Sequence, residues 1–423
     1  MQFRTAERAA RPSGFDLVAR AHCRIAYVSG PIDAAQVYDH WRRSRSSGYY
    51  GTIYLLQLYE NLHDVGARAL VVTTLPTGRW SATRENVDIV NLPMPEGVAG
   101  IRFHIAMLAW ACRCIAAVVR FRADGAILTA GQNYFWAFAP LRLFGTRLIA
   151  SLHCTLWPPY ARRKWLHRVL NVLNGLFFYP LCEHVQAVSE EAAKQIRQTA
   201  VRLPRSEARF LATYDPRRFE QVVQPNWPLV GDQFRLLYVG RLTENKGVFD
   251  LVEAMKTLEQ HHPGKFRLDV CGTGPAESRL RSETCHAKLD ASIVIHGQCA
   301  TARLQELYAS CHAVVVPTRS DFEEGTPKVA FEAVLNFRPV VMSAACPALA
   351  DVLEATEEAR VDDVSDYVAA IQRLASDRQL YQTRVRGAAA CRQKHFDEQR
   401  SYGARLRPAI LALANKQTRR RAA

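Results

Sequence analysis

The sequence predicts an α/β protein with two doubly wound domains, each a parallel sheet covered by helices on both faces. Short apolar runs of strand length alternate with longer segments of helical periodicity, and this alternation is typical of parallel sheets with crossover helices. The chain has 423 residues, and single hydrophobic cores rarely grow beyond about 250 to 300 residues. We therefore expect two Rossmann-like domains that face each other across a cleft.

The first half of the chain begins with a strand, a glycine-bearing loop, a helix and a second strand, the order of a doubly wound domain. Residues 23–29 (CRIAYVS) predict the first strand, and the segment 48–52 (GYYGT) predicts a loop that opens a helix towards Asp64. Residues 67–75 (ARALVVTTL) supply the next strand.

Further strands follow, and one of them ends just before a histidine. Residues 125–129 and 147–151 predict strands, and His153 follows the second. Ligands bind at the carboxyl ends of strands in open α/β sheets, so His153 is a candidate site residue. The alternative is a structural histidine. A strand over 182–188 then leads to a helix capped by Ser189.

The second half of the chain contains a loop suited to phosphate. Residues 234–239 predict a buried strand, Gly240 forms the turn after it, and Arg241 and Lys246 precede the next helix. Cations beside a helix N-terminus favour phosphate binding, because the free amides and the helix dipole attract anions.

Two glutamates flank a predicted helix start in the segment 320–334 (SDFEEGTPKVAFEAV). Thr326 suits the N-cap and Pro327 the first helical position, so Glu324 falls in the preceding loop and Glu332 in the second turn. Carboxylates around an anion-binding helix start suit a phosphorylated ligand with hydroxyl groups, as in a nucleotide sugar. The alternative is a solvated helix start, since acids favour first turns.

Several segments between Phe234 and about Val341 resemble the retaining glycosyltransferases of the family 4 type, which have the two-domain GT-B fold. In the family's order they are VGRLTENKG, FRLDVCGTGPAESRLR, IVIHGQ, LYASCHAVVVPTRSDFEEGTPKVAFEA and RPVV. The resemblance implies that Arg241 and Lys246 hold the diphosphate of the donor and that Glu332 bonds its ribose.

The resemblance also implies contacts to the transferred sugar. Glu324 and the amides after it would contact that sugar, and His153 would lie near the sugar and phosphate. The implied catalytic residues are Glu324, His153, Arg241 and Lys246, and the implied donor-binding residues are Gly51, Gly240, Arg241, Lys246, Gly325, Thr326, Pro327, Lys328 and Glu332.

Some positions depart from the family's pattern. Tyr49 and Tyr50 separate the two glycines of the first-domain loop. Phe337 replaces a glycine that is usual after the second glutamate, and Asp351 stands where a glutamate is frequent. These departures affect expected loop contacts and leave the diphosphate residues in place.

The implied activity is a retaining transfer of a sugar from a nucleotide-diphosphate sugar to a glycan or lipid-linked acceptor, as in bacterial surface-polysaccharide assembly. No Asp-x-Asp motif follows a strand, and protein cations can neutralise a leaving diphosphate, so we expect no metal and no cofactor. Three alternatives stay open: a nucleotide-sugar 2-epimerase of the same fold, a non-catalytic protein that binds nucleotide sugars or anions, and a nucleic-acid-binding protein. The basic half of the chain admits the third, but nucleic acid is not expected as a partner, because no recognised binding motif is present.

The composition is that of an ordinary globular protein, with 48% hydrophobic and 22% charged residues. The 11 cysteines are scattered without a paired pattern, which indicates buried thiols in a reducing compartment. Cys112 and Cys114 lack a second pair at zinc spacing, so no metal site is expected there.

The positive charge is concentrated in the first half. Residues 1–230 carry 28 Lys and Arg against 16 Asp and Glu, a balance of +12, whereas residues 231–423 carry 27 against 24, or +3. Such a basic half favours an anionic partner, either a membrane surface or an acidic acceptor, although it also suits a solvated surface. The basic and apolar segment 160–181 suits a helix in a membrane interface, or an ordinary helix with one buried face.

Two features bear on the expected location. The first twenty residues lack the apolar region of a signal peptide. The longest apolar run, 105–119, contains Arg113 and is short for a membrane span. We expect a cytoplasmic protein with peripheral contact to the cytoplasmic face of the inner membrane.

The expected organisation has four parts. A tail (1–22) precedes an acceptor-side domain (23–220) and a nucleotide-sugar-binding domain (221–391). A terminal helix with a basic end (392–423) crosses back to the first domain. Proline-bearing segments near 215–232 indicate the connection between the domains.

Overall fold

The structure, a computed structural model, describes residues 23–44, 54–229 and 231–422. The predicted loop that contains Gly51 therefore lies outside the described residues. The described chain forms two mainly parallel sheets, one in each half, with helices on both faces. The prediction of two doubly wound α/β domains is confirmed.

In the residues that the structure describes, the first domain contains eight strands and five α-helices. Its strands are β1 (Arg24–Val28), β2 (Arg68–Thr73), β3 (Trp80–Arg84), β4 (Val87–Asn91), β5 (Gly125–Leu128), β6 (Arg147–Leu152), β7 (Cys182–Ala187) and β8 (Glu207–Arg209). Its helices are α1 (Ala34–Ser44), α2 (Tyr54–Asp64), α3 (Gly100–Phe121), α4 (Trp165–Phe177) and α5 (Glu190–Thr199). The sheet order is β3-β4-β2-β1-β5-β6-β7-β8, and β3 is antiparallel to β4.

One face of this sheet is covered by three consecutive helical elements: α3, the kinked 3-10 segment Gln132–Phe144, and α4. All three contribute to one apolar core with the sheet, through side chains such as Trp110, Phe138 and Leu170. Helices α1 and α2 contribute to a separate core on the opposite face. We call the first group the outer helical layer.

Helix α3 differs from its expected length. The apolar run predicted over 105–119 becomes a helix of 22 residues, and by length and composition it could cross a bilayer. Only 28% of the apolar 18-residue stretch of this helix is buried within the protein. The inner side is nevertheless fixed to the sheet, since Met107, Trp110 and Cys114 are at most 1% exposed.

The second domain is a six-stranded parallel sheet with helices on both faces. Its strands are β9 (Phe234–Val239), β10 (Phe266–Cys271), β11 (Ile293–Gly297), β12 (Ala313–Val316), β13 (Val340–Ser343) and β14 (Thr356–Ala359). Its helices are α6 (Val248–His261), α7 (Glu277–His286), α8 (Thr301–Ser310), α9 (Lys328–Leu335), α10 (Leu349–Val352), α11 (Val364–Ser376) and α12 (Arg378–Lys394). The order β11-β10-β9-β12-β13-β14 corresponds to the 3-2-1-4-5-6 order of a Rossmann sheet.

The chain returns to the first domain at its end, through α13 (Tyr402–Ala422). The Asn61 amide donates a hydrogen bond to the Gly403 carbonyl at 2.9 Å, and the Tyr402 hydroxyl donates to that of Tyr27 at 3.2 Å. The expectation of a single helix from about Arg392 was wrong, because α12 ends at Lys394 and seven residues separate it from the start of α13 at Tyr402.

Two local differences concern the segment of the glutamate pair. Helix α9 begins at Lys328, with Pro327 in extended conformation at the N-cap, so the predicted start was one residue early. Phe337 replaces the expected glycine and has φ +58°, the left-handed conformation that glycine adopts without strain. The Arg392 guanidinium lies 4.3 Å from the centre of its ring.

Candidate functional site

Three loops of the second domain meet at the carboxyl edge of its sheet, because β10, β9 and β12 are neighbours. Glycines allow the loops to touch. A Cβ atom on Gly272 (φ +138°) would lie 1.8 Å from the Gly240 carbonyl oxygen, and one on Gly247 (φ +72°) would lie 2.0 Å from that of Pro317. Side chains at these positions would push the loops apart, so the glycines fix the shape of the site.

Lys246 and Glu324, which are 78 residues apart in sequence, form an ion pair between two of these loops. Their side chains are 16% and 10% exposed. The Thr318 hydroxyl donates to the same carboxylate oxygen at 3.4 Å, and the Lys246 ammonium lies 4.2 Å from the centre of the Phe322 ring. The predicted phosphate cation and the predicted sugar carboxylate are therefore adjacent.

Arg241 lies at the same edge of the sheet but remains exposed. The Tyr238 hydroxyl donates to the Arg241 carbonyl at 2.9 Å and anchors the turn from inside the domain. In the described part of the chain, the Arg241 guanidinium has no hydrogen-bond or ion-pair partner. The backbone of Arg241 is thus held in place, while its guanidinium remains available to a ligand.

The start of α9 supplies backbone donors beside the ion pair. Gly325 to Pro327 connect Glu324 to the helix, and Lys328 is its first residue. The first amides of a helix have no partner within it, and the helix dipole adds partial positive charge there. The segment Gly325–Lys328 therefore presents backbone amides of the kind that can bind an anion, close to the pair of Glu324 with Lys246.

Glu332 lies in the second turn of α9 and is 7% exposed. The Tyr308 hydroxyl donates to its carboxylate at 3.1 Å. Burial raises the pKa of Glu332 to about 7, against the lowering effects of the Tyr308 hydrogen bond and the Lys328 charge. The carboxylate is therefore poised to change charge near neutral pH, where a ligand hydroxyl would favour the ionised form.

His153 closes the site from the first domain. Its ring lies in an aromatic cluster, with centroids 4.7 Å from Tyr54 and 5.5 Å from Phe210 and Tyr402. Its Nε2 and the Ser151 hydroxyl are 3.2 Å apart. Burial, with a smaller effect from the Lys328 charge, lowers the pKa of His153 to about 3. The imidazole is neutral at physiological pH and can act as a hydrogen-bonding group.

The two domains touch at this point. A Cβ atom on Gly325 would lie 1.9 Å from the His153 carbonyl oxygen. The Thr155 amide and hydroxyl donate to the Glu324 carbonyl at 3.4 Å and 3.3 Å. Glu324 therefore contacts Lys246 with its carboxylate, while its backbone carbonyl is held by Thr155 of the first domain.

The structure brings together most of the residues predicted from the sequence. The second-domain residues gather along one edge of the sheet, and His153 faces them from the first domain. Gly51 lies outside the described residues. Asp351 is 5% exposed and forms an ion pair with Arg209 of the first domain, so it links the domains.

Sequence reasoning missed the polar residues that support the glutamates. The Tyr308 hydroxyl donates a hydrogen bond to the Glu332 carboxylate. The Thr318 hydroxyl donates to the Glu324 carboxylate, and the Thr155 hydroxyl donates to the Glu324 carbonyl. Thr318 and Thr155 each lie within three residues of the carboxyl end of a strand, which was an available signal. Nothing in the sequence pattern distinguished Tyr308 from a core tyrosine.

No group of three or more His, Cys, Asp or Glu side chains with metal-binding geometry occurs in the ranges that the structure describes. Near α9, the Glu324 carboxylate faces the Lys246 ammonium and the Glu332 carboxylate faces a tyrosine hydroxyl. The charge available to a bound anion at this edge comes from Lys246, Arg241, Lys328 and the helix end.

Comparisons with sequence families match both domains. Residues 51–213 match the family described as Glycosyl transferase 4-like domain, and residues 233–377 match the family described as Glycosyl transferases group 1.

Two curated relatives match over part of the chain. One is the glycosyltransferase TuaC of Bacillus subtilis (strain 168), named for teichuronic acid biosynthesis, 30% identical over 110 residues or 26% of this chain. The other is the uncharacterized glycosyltransferase MJ1607 of Methanocaldococcus jannaschii, 34% identical over 113 residues or 26% of this chain. The matched segments span about a quarter of the length of each relative, 24% and 27%.

Solved structures resemble the whole fold. Sucrose-phosphate synthase from Thermosynechococcus elongatus has a TM-score of 0.67 at 18% identity and covers 94% of this chain and 99% of its own. Anabaena HepE, solved in complex with UDP, has a TM-score of 0.63 at 15% identity, with 93% and 100% covered. At these identities, the structures support the fold alone.

Proposed function

We propose that this chain, which belongs to the group 1 glycosyl transferases with the GT-B fold, transfers a sugar from a nucleoside-diphosphate donor to a glycan or lipid-linked acceptor. The contact between Lys246 and Glu324 at the start of α9 carries this proposal. A ligand that touches both groups must place an anion and hydroxyl groups within a few ångströms of each other. The phosphate and sugar of a nucleotide sugar meet this requirement.

The donor would lie along the carboxyl edge of the second sheet. Its diphosphate would meet Lys246, the free end of Arg241 and the amides of Gly325–Lys328. Its ribose hydroxyls would reach Glu332, whose carboxylate Tyr308 already orients. The sugar would then lie beside Glu324 and face His153 across the domain contact.

The proposed chemistry would use this arrangement. The bond between the anomeric carbon and the diphosphate oxygen breaks, and positive charge develops on the sugar while negative charge develops on the diphosphate. Lys246, Arg241 and the helix end stabilise the leaving group in a site shaped in advance. The acceptor oxygen attacks from the face that the diphosphate leaves, with its proton passing to the departing phosphate, so the anomeric configuration is retained. Glu324 orients sugar hydroxyls, and neutral His153 contributes a hydrogen bond.

The substrate classes come from separate observations. HepE was solved with UDP, so uridine nucleotides are the first donors to test. The partial similarity to TuaC, which is named for teichuronic acid biosynthesis, supports the proposed role in bacterial surface-polysaccharide assembly. We further propose that the transfer takes place at the cytoplasmic side of the membrane. We propose that the transfer needs no metal, because protein cations and a helix end are grouped where the diphosphate would lie.

Product analysis tests the proposal. The protein is incubated with a panel of nucleotide sugars and candidate glycan and lipid-linked acceptors, and products are identified by mass spectrometry and by anomeric NMR couplings. A glycosylated acceptor with the donor's configuration supports a retaining transferase. An isomerised donor without transfer would indicate the 2-epimerase, and binding without conversion of any donor would indicate a non-catalytic binding protein.

A further inference from the structure

The outer helical layer exposes an unusual amount of apolar surface. Of the eighteen exposed large apolar side chains among the described residues, thirteen lie between residues 98 and 181, and ten of these belong to the outer helical layer itself. They are Val98, Ile101, Ile105, Leu108, Leu143, Phe144, Tyr160, Trp165, Val169, Val172, Leu176, Phe177 and Leu181. Leu143, Trp165 and Ile101 are 86%, 74% and 73% exposed. Large exposed apolar patches on a protein surface mark binding sites for proteins or membranes.

The same segment is basic almost throughout. Residues 97–181 contain ten Lys and Arg and one acid, Asp124. The Asp124 carboxylate accepts a hydrogen bond from the backbone amide of Arg24 at 2.8 Å. None of the ion pairs between described residues includes any of the ten cations. An apolar surface bordered by unpaired cations is complementary to an anionic lipid bilayer.

A cavity of about 590 Å³ extends this pattern at the flank of α3. Five arginines line it, Arg24, Arg68, Arg79, Arg113 and Arg120, over a floor that includes Leu70, Val90 and Leu92. Asp88 is the single acid in the lining, and Arg68 already pairs with it at 2.9 Å. The Arg113 Nε atom is buried without a partner among the described residues. Such a cavity suits a phosphate group attached to an apolar chain.

The outer helical layer is less suited to two alternative arrangements. A membrane-spanning α3 would have to leave the sheet, where Met107, Trp110 and Cys114 are buried. A second copy of this chain would place two strongly basic surfaces against each other, and juxtaposed like charges repel each other. Anionic headgroups supply the opposite charge.

We propose that the outer helical layer docks on the surface of an anionic lipid bilayer. Side chains of α3 and α4 enter the boundary between headgroups and acyl chains, and the surrounding arginines and lysines contact lipid phosphates. The layer extends to the candidate donor site, because Nδ1 of His167 in α4 lies 3.8 Å from a carboxylate oxygen of Glu323, the residue before Glu324. If the proposed function holds, a lipid-linked acceptor would enter the cleft from the docked side. The docking itself does not depend on that function.

Co-sedimentation of the full chain with vesicles tests the proposal. Neutral vesicles contain phosphatidylcholine alone, and anionic vesicles contain phosphatidylcholine with one third phosphatidylglycerol. The charge variant combines Arg162→Glu, Lys164→Glu and Arg168→Glu, and it spares Arg163, whose guanidinium lies 3.4 Å from the centre of the buried Trp157 ring. The apolar variant combines Ile101→Gln, Ile105→Gln and Trp165→Gln. The control variant, Lys256→Glu with Arg378→Glu and Arg386→Glu, reverses three exposed charges on helices of the second domain.

We expect the wild type to bind the anionic vesicles and to dissociate as salt rises. The charge variant should bind about a hundredfold more weakly and the apolar variant at least tenfold more weakly, while the control binds like the wild type. Thermal unfolding of each variant checks that it is folded, and glycosyl transfer to a water-soluble acceptor should be unchanged. That readout separates failed docking from failed catalysis.

Several results would overturn the proposal. The wild type could fail to sediment with anionic vesicles, or the control variant could lose as much binding as the charge variant. The apolar variant could bind normally, which would reduce the interaction to charge attraction alone. A wild type at twice the 47.6 kDa chain mass in solution, with the apolar variant at the single mass, would assign the face to a contact between copies.

Discussion

The two domains share one architecture but use their charges differently. In the second domain, many cations already face carboxylates, as in Arg235 with Asp269, Arg319 with Asp250, Arg373 and Arg384 with Glu357, and Lys246 with Glu324. In residues 97–181 of the first domain, the segment that contains the outer helical layer, ten cations accompany one acid. Paired charges hold loops in place around a small ligand, whereas unpaired charges remain available to a large external surface.

The largest effect is expected where a buried pair is broken. Lys246→Met leaves the Glu324 carboxylate, which is 8% exposed, without its counter-ion. We expect the free energy of unfolding to fall by about 3 to 5 kcal/mol, measured by urea denaturation at pH 8. Adding Glu324→Gln should recover most of this loss, because no uncompensated charge then remains. Equal stability of the wild type and Lys246→Met would show that the pair does not hold the loops.

Arg241 provides the contrasting case within the same site. Its guanidinium is exposed and unpaired among the described residues, so Arg241→Ala should change the free energy of unfolding by less than about 0.5 kcal/mol. It should nevertheless weaken nucleoside-diphosphate binding by about 1.5 to 3 kcal/mol, the range of charged hydrogen bonds. Calorimetric titration of the folded variant measures this, and unchanged affinity would remove Arg241 from the diphosphate site.

The pKa of Glu332 predicts an effect on stability that depends on pH. Its pKa is raised from 4.5 to about 7 in the folded protein, so the folded state retains a proton that the unfolded state releases. The contribution of Glu332 to the free energy of unfolding should therefore fall as pH rises from about 4.5 to 7, and Glu332→Gln should remove this slope. Urea titrations of both proteins across this range measure the difference.

The same group should affect ligand binding in the opposite direction. Ribose hydroxyls donate to the ionised carboxylate, so nucleotide affinity should rise about tenfold between pH 6 and pH 8. Glu332→Gln should show a flat profile over the same interval. A profile in the variant as steep as in the wild type would mean that another group titrates.

The parts of this fold that were predictable are those in which local pattern decides the outcome. The strand Phe234–Val239 has its predicted bounds, because a buried parallel strand is a continuous apolar run. The helix near Glu332 was displaced by one residue, since a proline suits several positions at a helix start. Phe337 shows that a left-handed turn can persist where the sequence pattern lacks its usual glycine.

The candidate site was predictable in its residue types and less so in its contacts. The Lys246 and Glu324 pair joins loops 78 residues apart, and the Thr155 bond to Glu324 spans 169 residues. Such contacts depend on the packing of whole domains, which periodicity does not encode. The outer helical layer was predictable in part: the basic and apolar mixture of 160–181 is visible in the sequence, but its continuity with α3 depends on the fold.

The most direct test of the donor site compares its two carboxylates by the same substitution. Glu332→Gln and Glu324→Gln are each titrated with the nucleoside diphosphate that binds the wild type best, and turnover is measured with the matching sugar donor. We predict that Glu332→Gln weakens binding of the free nucleotide about tenfold, while Glu324→Gln leaves that affinity unchanged and lowers turnover at least a hundredfold, because its contact is made with the reacting sugar. Equal behaviour of the two variants, or no nucleoside diphosphate binding to the wild type, would contradict the assignment of this site to a nucleotide sugar.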